Sequence, residues 1–471
     1  MDFTSFNNII DGEPRESATT NQGINPATEE KLFDVPIATE SDLNDAVASA
    51  RRAFTSWSQT SFEERCELVR KYAEAYMAQE SNFTDLLMKE NGKPRAEANR
   101  EIHSSYEGML VAANWELPVE TMEDENKTAT VRYVPLGVVG AICPWNFPLV
   151  LSFTKIAPAL VAGNCVIVKP SPYTPYTTLK AVEVGHSLFP PGVLQVLGGD
   201  EKLGPWIVSH PDIQKISFTG SIPTGKKIMA ECAKTLKRVT LELGGNDASI
   251  VCPDVDIEET ASAVAMAAFK NAGQICVASK RIYVHETIYR SFLKAMVSFT
   301  ESLRVGNPFD EGIKVGPIQN SMQYEKVQTF FTDCKEQGYT FATDNSKIEL
   351  PSKGYFIQPT IIENPPSDSK IVTEEPFGPI IPVQLWNDEA DVIRRTNDTK
   401  TGLGACIWSK DIKRAERIAR QLEVGSIYIN SPLRPDWKVY FSGHKESGIG
   451  GERGLMGLLA YCNAQAVHVH K

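Results

Sequence analysis

Val138-Val139-Gly140-Ala141-Ile142-Cys143-Pro144-Trp145-Asn146-Phe147-Pro148 runs from five apolar residues into a loop held between two prolines, and 151–162 then reads as an apolar helix stopped by Gly163. An apolar run without polar alternation marks a strand covered on both faces. Proline fixes the backbone on each side of Asn146, and a glycine just past the last helical residue ends the helix. Outward from this segment, Cys165–Lys169, 193–197, 215–218 and Arg238–Glu242 are further buried-strand runs separated by helical stretches. The alternation predicts an open parallel sheet built from β-α-β units. Such sheets bind ligands outside the carboxyl ends of their strands, which is where the notable residues of this chain fall.

Before this region the chain reads as helical. Residues 39–54 place Leu43, Ala46, Val47, Ala50 and Phe54 at helical spacing, Ser61 with Glu64 forms a capping-box pattern, and Gly92-Lys93-Pro94 stops one helix and lets another begin. After Gly245 a second α/β series opens with a helix over 260–271 and a strand at Arg281–His285, and continues to about Asn430. The segment 121–133 reads as a hairpin arm for subunit contact. The expected organisation is therefore 1–119 with 136–245 as a dinucleotide-binding domain, 246–430 as a second α/β domain carrying the cysteine, and 120–135 with 431–471 as an arm and C-terminal segment. No repeat of fixed period stands out.

The chain has 471 residues, enough for two or three packed domains, with 42% apolar and 23% charged residues, the balance of a globular protein. Net charge is −11 and the 48 basic residues form no stripe, which argues against nucleic acid. No apolar run approaches the ~20 residues of a membrane helix, and the start MDFTSFNNII lacks a signal-peptide pattern. Nine cysteines without a C-x-x-C pair argue against a disulfide framework and against a metal site, and point to a reducing, cytoplasmic compartment. Neither H-E-x-x-H nor G-x-S-x-G occurs, so zinc-protease and serine-hydrolase chemistry drop out.

Three residues offer chemistry. Cys276 follows Asn271-Ala272-Gly273-Gln274-Ile275 at the end of an Ala-rich helix; alone it reads as a small buried hydrophobe or a nucleophile. Glu242 closes an apolar strand before Leu243-Gly244-Gly245, and a carboxylate in an apolar mouth has a raised pKa suited to a general base. Asn146 sits in its proline-bracketed loop.

The 144–148 loop, Phe218-Thr219-Gly220-Ser221 with Gly225, Leu241-Glu242-Leu243-Gly244-Gly245, Gly273-Gln274-Ile275-Cys276 and Glu375-Pro376-Phe377-Gly378-Pro379 occur in the order found in the aldehyde dehydrogenase superfamily, which this chain resembles over nearly its whole length. The resemblance implies a Rossmann-like cofactor-binding domain, a second α/β catalytic domain and a small β oligomerisation arm, and a homodimer or homotetramer. It also implies oxidation of an aldehyde to the carboxylic acid with NAD or NADP, through a thioester on Cys276. Asn146 and the Cys276 N–H would hold the oxyanion and Glu242 would activate the hydrolytic water. For the cofactor it implies the 218–225 turn with Gly220 and Ser221 at the pyrophosphate, Lys169 and Glu375 on the riboses, Ser171 close by, and Trp145, Phe218, Phe377, Gly204 and Gln323 around them.

Two departures from the family pattern bear on specificity. Pro172 stands where NAD-preferring members often carry glutamate, so a feature that repels a 2'-phosphate is absent, and Tyr440-Phe441-Ser442-Gly443-His444-Lys445 replaces the more common Pro-Phe-Gly-Gly-x-Lys. The family pattern lines the aldehyde tunnel with Phe147, Leu151, Thr154, Ile275, Val277 and Phe441, an apolar set with no charged group near the thiol, which favours hexanal or an aromatic aldehyde. Arg434, Trp437 and Lys438 lie at the expected entrance, where cations could receive a distal carboxylate. Two rivals stand beside this reading: a CoA-acylating enzyme, which generally lacks the glutamate found as Glu242, and a catalytically silent protein of the same fold.

Overall fold

The computed structural model describes residues 1–344, 346, 349–432 and 435–471; Arg434 lies outside the described residues. The run that begins at Val138 is the centre of an eight-stranded sheet. In it Leu194–Val196, Cys165–Lys169, Val138–Ile142, Lys215–Thr219 and Arg238–Glu242 lie side by side in that order, all parallel. Every residue of Val138–Ile142 and Cys165–Lys169 is buried, which is why these strands carry no polar alternation. The chain builds the sheet outward from Val138–Ile142 in one direction and then restarts beside it with Lys215–Thr219. The order reverses there, so a crevice opens between the 143–147 loop and the 219–221 turn.

Local chemistry sets the helix limits. Thr39 caps Glu40–Trp57 with a reciprocal box to Asp42, while Ser61 accepts the Glu64 N–H at 3.1 Å to start Phe62–Met77. Gly92 (φ 81) closes Glu80–Asn91, and its Cβ position is walled by the Pro317 ring. The helix expected over 151–162 begins earlier, at Pro148, because proline suits the first turn, where no N–H is needed; it ends on Gly163 (φ 94).

The second series forms a seven-stranded sheet whose core strands Thr360–Glu363, Ile380–Trp386, Arg281–His285, Ala248–Val251, Gly404–Trp408 and Ser426–Ile429 are parallel. Its first helix, Ile257–Phe269, stops two residues short of the expected Asn271. Asn271 (φ 51), Ala272 (φ 53) and Gly273 (φ 72) turn left-handed in succession, and an α-helix cannot continue through them. The arm is larger than a hairpin: Glu120–Glu123 and Lys127–Pro135 pair as expected, and Cys462–His470 adds a third antiparallel strand along the whole of Lys127–Pro135. The N-terminal helices share one hydrophobic core with the first sheet, and two further clusters pack on the strands of the second. Among the described residues no helix is long and apolar enough to cross a membrane.

Candidate active site

Eight of the nine cysteines are buried, and Cys276 alone is partly open. It follows the left-handed turn, where a non-glycine residue such as Ala272 costs of order 1–3 kcal/mol. Close packing holds that turn: a Cβ on Gly273 would collide with the Gly378 carbonyl of the Glu375-Pro376-Phe377-Gly378 loop. Lys280, buried one strand-start later, donates to the Cys276 carbonyl at 2.6 Å and lies 3.1 Å from Glu375. Burial pushes the Cys276 thiol up to about 12; the Lys280 ammonium opposes this, and Asp247, Glu375 and Glu242 add to it.

Asn146 is brought to this loop. Its side-chain amide donates to the Gln274 carbonyl at 3.1 Å, two residues before the thiol, which leaves the second amide hydrogen for another acceptor. The loop around it is anchored by residues the sequence reading passed over. Lys93 donates to the Asn146 carbonyl at 2.6 Å, lies 3.7 Å from the Phe147 ring centroid and pairs with Glu101 in full burial. Glu101 also accepts the Leu149 N–H at 3.0 Å, so it caps the helix that starts at Pro148. Asn91 donates to the Trp145 carbonyl at 2.7 Å.

Glu242 is buried, and neither carboxylate oxygen has a hydrogen-bond partner among the described residues. Burial holds its pKa far above the carboxylate range; Glu452 adds to the rise, while Lys155 and Arg453 oppose it. Lys155 and Glu452 form a buried pair at 2.6 Å, and Lys155 also donates to Thr219 at 2.7 Å. A lysine inside the apolar helix Pro148–Ala162 was the available signal for this pair.

The expected cofactor residues surround the sheet crevice. Trp145 and Phe377 meet edge to face at 5.4 Å, and both hydrogens of the Gln323 amide are engaged by the Pro376 and Phe377 carbonyls, so Gln323 holds that loop in place. Glu375 reaches the Gly245 N–H at 3.4 Å, and a Cβ on Gly244 would strike its carboxylate. Across the crevice, buried Lys169 donates to the Pro170 carbonyl, with its ammonium lowered by burial to about 8, and a Cβ on Gly204 would meet only the Lys169 side chain. Ser171 is buried; Ser221 is exposed at the start of Ile222–Ala233, packed onto Leu243 through Gly225, and Phe218 lies beneath Gly220. This set fits a dinucleotide: exposed N–H groups at a helix start for a pyrophosphate, a lysine and a carboxylate for ribose hydroxyls, and an open glycine wall.

Of the expected tunnel residues, Phe147, Leu151, Ile275 and Phe441 are partly buried, and Thr154 and Val277 buried. Thr154 shares a cavity with Gly108, Trp115, Trp437 and Arg453. Trp437, in the segment expected to border the entrance, is buried: its indole donates to Ser104 at 3.1 Å, and the absent side chain of Gly108 gives the ring its place. Lys438 is exposed. Arg453 is a charged group in this wall that the sequence reading did not place.

A Rossmann-ordered sheet facing a thiol, a side-chain amide and a buried carboxylate without a partner among the described residues defines the class of a dinucleotide-dependent oxidoreductase. A sequence model described as the aldehyde dehydrogenase family matches residues 14–467, and the chain belongs to that family. It is 44% identical over its full length to the full length of a putative aldehyde dehydrogenase FUS7 from Gibberella fujikuroi. It is 38% identical to the chloroplastic betaine aldehyde dehydrogenase of Amaranthus hypochondriacus, over 98% of this chain and 95% of that protein. The NAD+ complex of aldehyde dehydrogenase from Bacillus cereus superposes with a TM-score of 0.96 at 34% identity, over 99% of this chain and 96% of that one. A solved NADP-dependent enzyme of E. coli matches with a TM-score of 0.96 at 32% identity, over 100% and 99%. The protein is an NAD(P)+-dependent oxidoreductase acting on aldehydes.

Proposed function

We propose that Cys276 is the nucleophile, Asn146 an oxyanion donor and Glu242 the base of a hydrolytic aldehyde dehydrogenase. The observation that carries this is the convergence on one mouth of the least buried cysteine, an amide bonded to Gln274 and a carboxylate with both oxygens unpartnered among the described residues. The Cys276 thiol gives up its proton to solvent water, the thiolate attacks the aldehyde carbon, and the resulting oxyanion accepts hydrogen bonds from the second Asn146 N–H and the Cys276 N–H. Bound NAD(P)+ supplies the hydride acceptor and a positively charged ring. Glu242 then takes a proton from the water that cleaves the Cys276 thioester, and Lys155 and Glu452 set how readily it does so. The presence of Glu242 favours this hydrolytic path over acyl transfer to a thiol.

The same reading assigns Trp145, Lys169, Ser171, Gly204, Phe218, Gly220, Ser221, Gln323, Glu375 and Phe377 to cofactor binding or its support, and the 1–119, 136–245 and 246–430 segments to the two α/β domains. The three-stranded arm, with Met122, Val467 and Val469 exposed, supports a subunit contact and hence a homodimer or homotetramer. The absence of paired cysteine spacing supports a cytoplasmic enzyme.

The test is chemical trapping. Cys276→Ala is expected to abolish aldehyde oxidation while retaining cofactor binding, and Glu242→Gln to give one burst of reduced cofactor with a thioester visible by intact mass. Full turnover by the Cys276→Ala protein would overturn the assignment.

A further inference from the structure

Arg453 follows Glu452 in the strand pair that Gly451–Glu452 makes with Phe441–Ser442, and its backbone has a positive φ (64). Its guanidinium lies 4.3 Å from the Trp437 ring centroid and 5.9 Å from that of Phe441, and its Nη1 donates to the Pro435 carbonyl at 2.9 Å. Among the described residues no carboxylate forms an ion pair with it, because the adjacent Glu452 is committed to Lys155 at 2.6 Å. A guanidinium has five N–H donors in one plane, and stacking on an aromatic face leaves that plane's edge open. Arg453 is thus partly buried with one of its donors engaged by a hydrogen bond among the described residues.

A cation withdrawn from water without a carboxylate partner is costly, and the cost is offset when an anion arrives to complete the pair. Arg453 is where such an anion would matter. It lines the cavity that holds Thr154 and Trp437, it touches Phe441 of the expected tunnel, and its charge acts on both Cys276 and Glu242. Lys155 and Glu452 pair with each other, so Arg453 is the cation of this wall that lacks an ion pair among the described residues.

We propose that Arg453 is the specificity-determining residue of the aldehyde pocket and that the substrate class is an aldehyde bearing a carboxylate, received by the open N–H edge of the guanidinium beside Trp437 and Phe441. The proposal rests on Cys276 attacking the aldehyde in this pocket, and it replaces the apolar-tunnel expectation for the substrate. A quaternary ammonium aldehyde meets the same guanidinium and is disfavoured.

The experiment compares kcat/KM of the full-length enzyme for a series of straight-chain aldehydes ending in a carboxylate, from glyoxylate to glutaric semialdehyde, with neutral aldehydes of equal length and with betaine aldehyde. The best carboxylate aldehyde is expected to exceed its neutral counterpart by about tenfold or more, the size of one charge-assisted pair, with betaine aldehyde the poorest. Arg453→Met is expected to bring the ratio of kcat/KM for the carboxylate aldehyde to that for the neutral aldehyde of equal length close to one, chiefly through the KM of the carboxylate aldehyde, and Arg453→Lys to restore part of the preference. Independently of any variant, a saturated dicarboxylate is expected to inhibit the wild type competitively against the aldehyde. A neutral aldehyde used best by the wild type, a preference that survives Arg453→Met, or no inhibition by any dicarboxylate of the series would each overturn the proposal. Failure of the underlying reading looks different: the Cys276→Ala protein would then still oxidise these aldehydes.

Discussion

The Lys280 ammonium donates to the Cys276 carbonyl at 2.6 Å and stands 3.1 Å from a Glu375 oxygen, so one buried cation ties the thiol's own backbone to the carboxylate expected at a cofactor ribose. The charged groups bearing on Cys276 are Lys280, Asp247, Glu375, Glu242 and Arg453, and Lys280 is the largest influence favouring its thiolate. Lys280→Met is expected to raise the thiol pKa further and to slow alkylation of Cys276 by iodoacetamide at pH 8 by about tenfold, the effect of one pKa unit. Lys280→Arg should keep most of the rate. The check is the pH profile of alkylation without aldehyde, and an unchanged profile in Lys280→Met would count against the role.

Asn146 donates one amide hydrogen to Gln274 and has a second to give. Asn146→Ala is expected to lower kcat by about 10²–10³, the usual loss for one oxyanion donor. Because Lys93 and Asn91 hold the loop through the Asn146 and Trp145 carbonyls, which the variant retains, cofactor binding should change little. Titration of nicotinamide-cofactor binding beside single-turnover rates separates the two; a parallel loss of both would indicate a collapsed loop.

The Lys155–Glu452 pair gives predictions of opposite sign. A general base works deprotonated, so deacylation rises with pH through the Glu242 titration, which burial holds high. Lys155→Met removes a cation that favours the Glu242 carboxylate and should move the profile to higher pH. Glu452→Gln removes an anion that opposes it and should move the profile to lower pH. Steady-state kcat against pH, with deacylation rate-limiting, reads both shifts, and displacement in the same direction would show that charge on Glu242 is not the cause.

What was legible in the sequence was whatever depends on neighbours along the chain. Val138–Ile142 lies where an unbroken apolar run predicted it, and Ser61, Gly92 and Gly163 act as caps because their side chains or their φ freedom act within one turn. The positions of Asn146, Glu242 and Cys276 at element ends followed from the same patterns. Lys155 and Glu452 were not legible as a pair because they are 297 residues apart, and a lysine in an apolar helix does not say which acid it meets. Arg453, and its contact with Trp437, were missed for a related reason: the contact depends on how 435–441 folds back against Gly108, and no local pattern encodes that. The left-handed turn at Asn271 and Ala272 is imposed by packing on Gly378, against the local helical preference of the alanine-rich run.

Lys169 bears on the choice between NAD+ and NADP+. Its ammonium is buried with the Pro170 carbonyl as its hydrogen-bond acceptor among the described residues, Ser171 follows, and exposed Pro172 offers no negative charge. NADP+ is therefore expected to be used within about tenfold of NAD+, a difference of roughly 1.4 kcal/mol. Burial lowers the Lys169 pKa to about 8, so the side chain is charged below that pH and neutral above it. A 2'-phosphate gains from the charge, whereas a 2'-hydroxyl gains little. The ratio of kcat/KM for NADP+ to that for NAD+ should consequently be highest below pH 8 and fall as the pH rises through it. Lys169→Met should lower the ratio at pH 7 and flatten its pH dependence. Measuring both cofactors from pH 6.5 to 9.5 at saturating aldehyde checks the sign, and a thousandfold preference for NAD+ at every pH, or a ratio that climbs above pH 8, would place the discrimination on other residues.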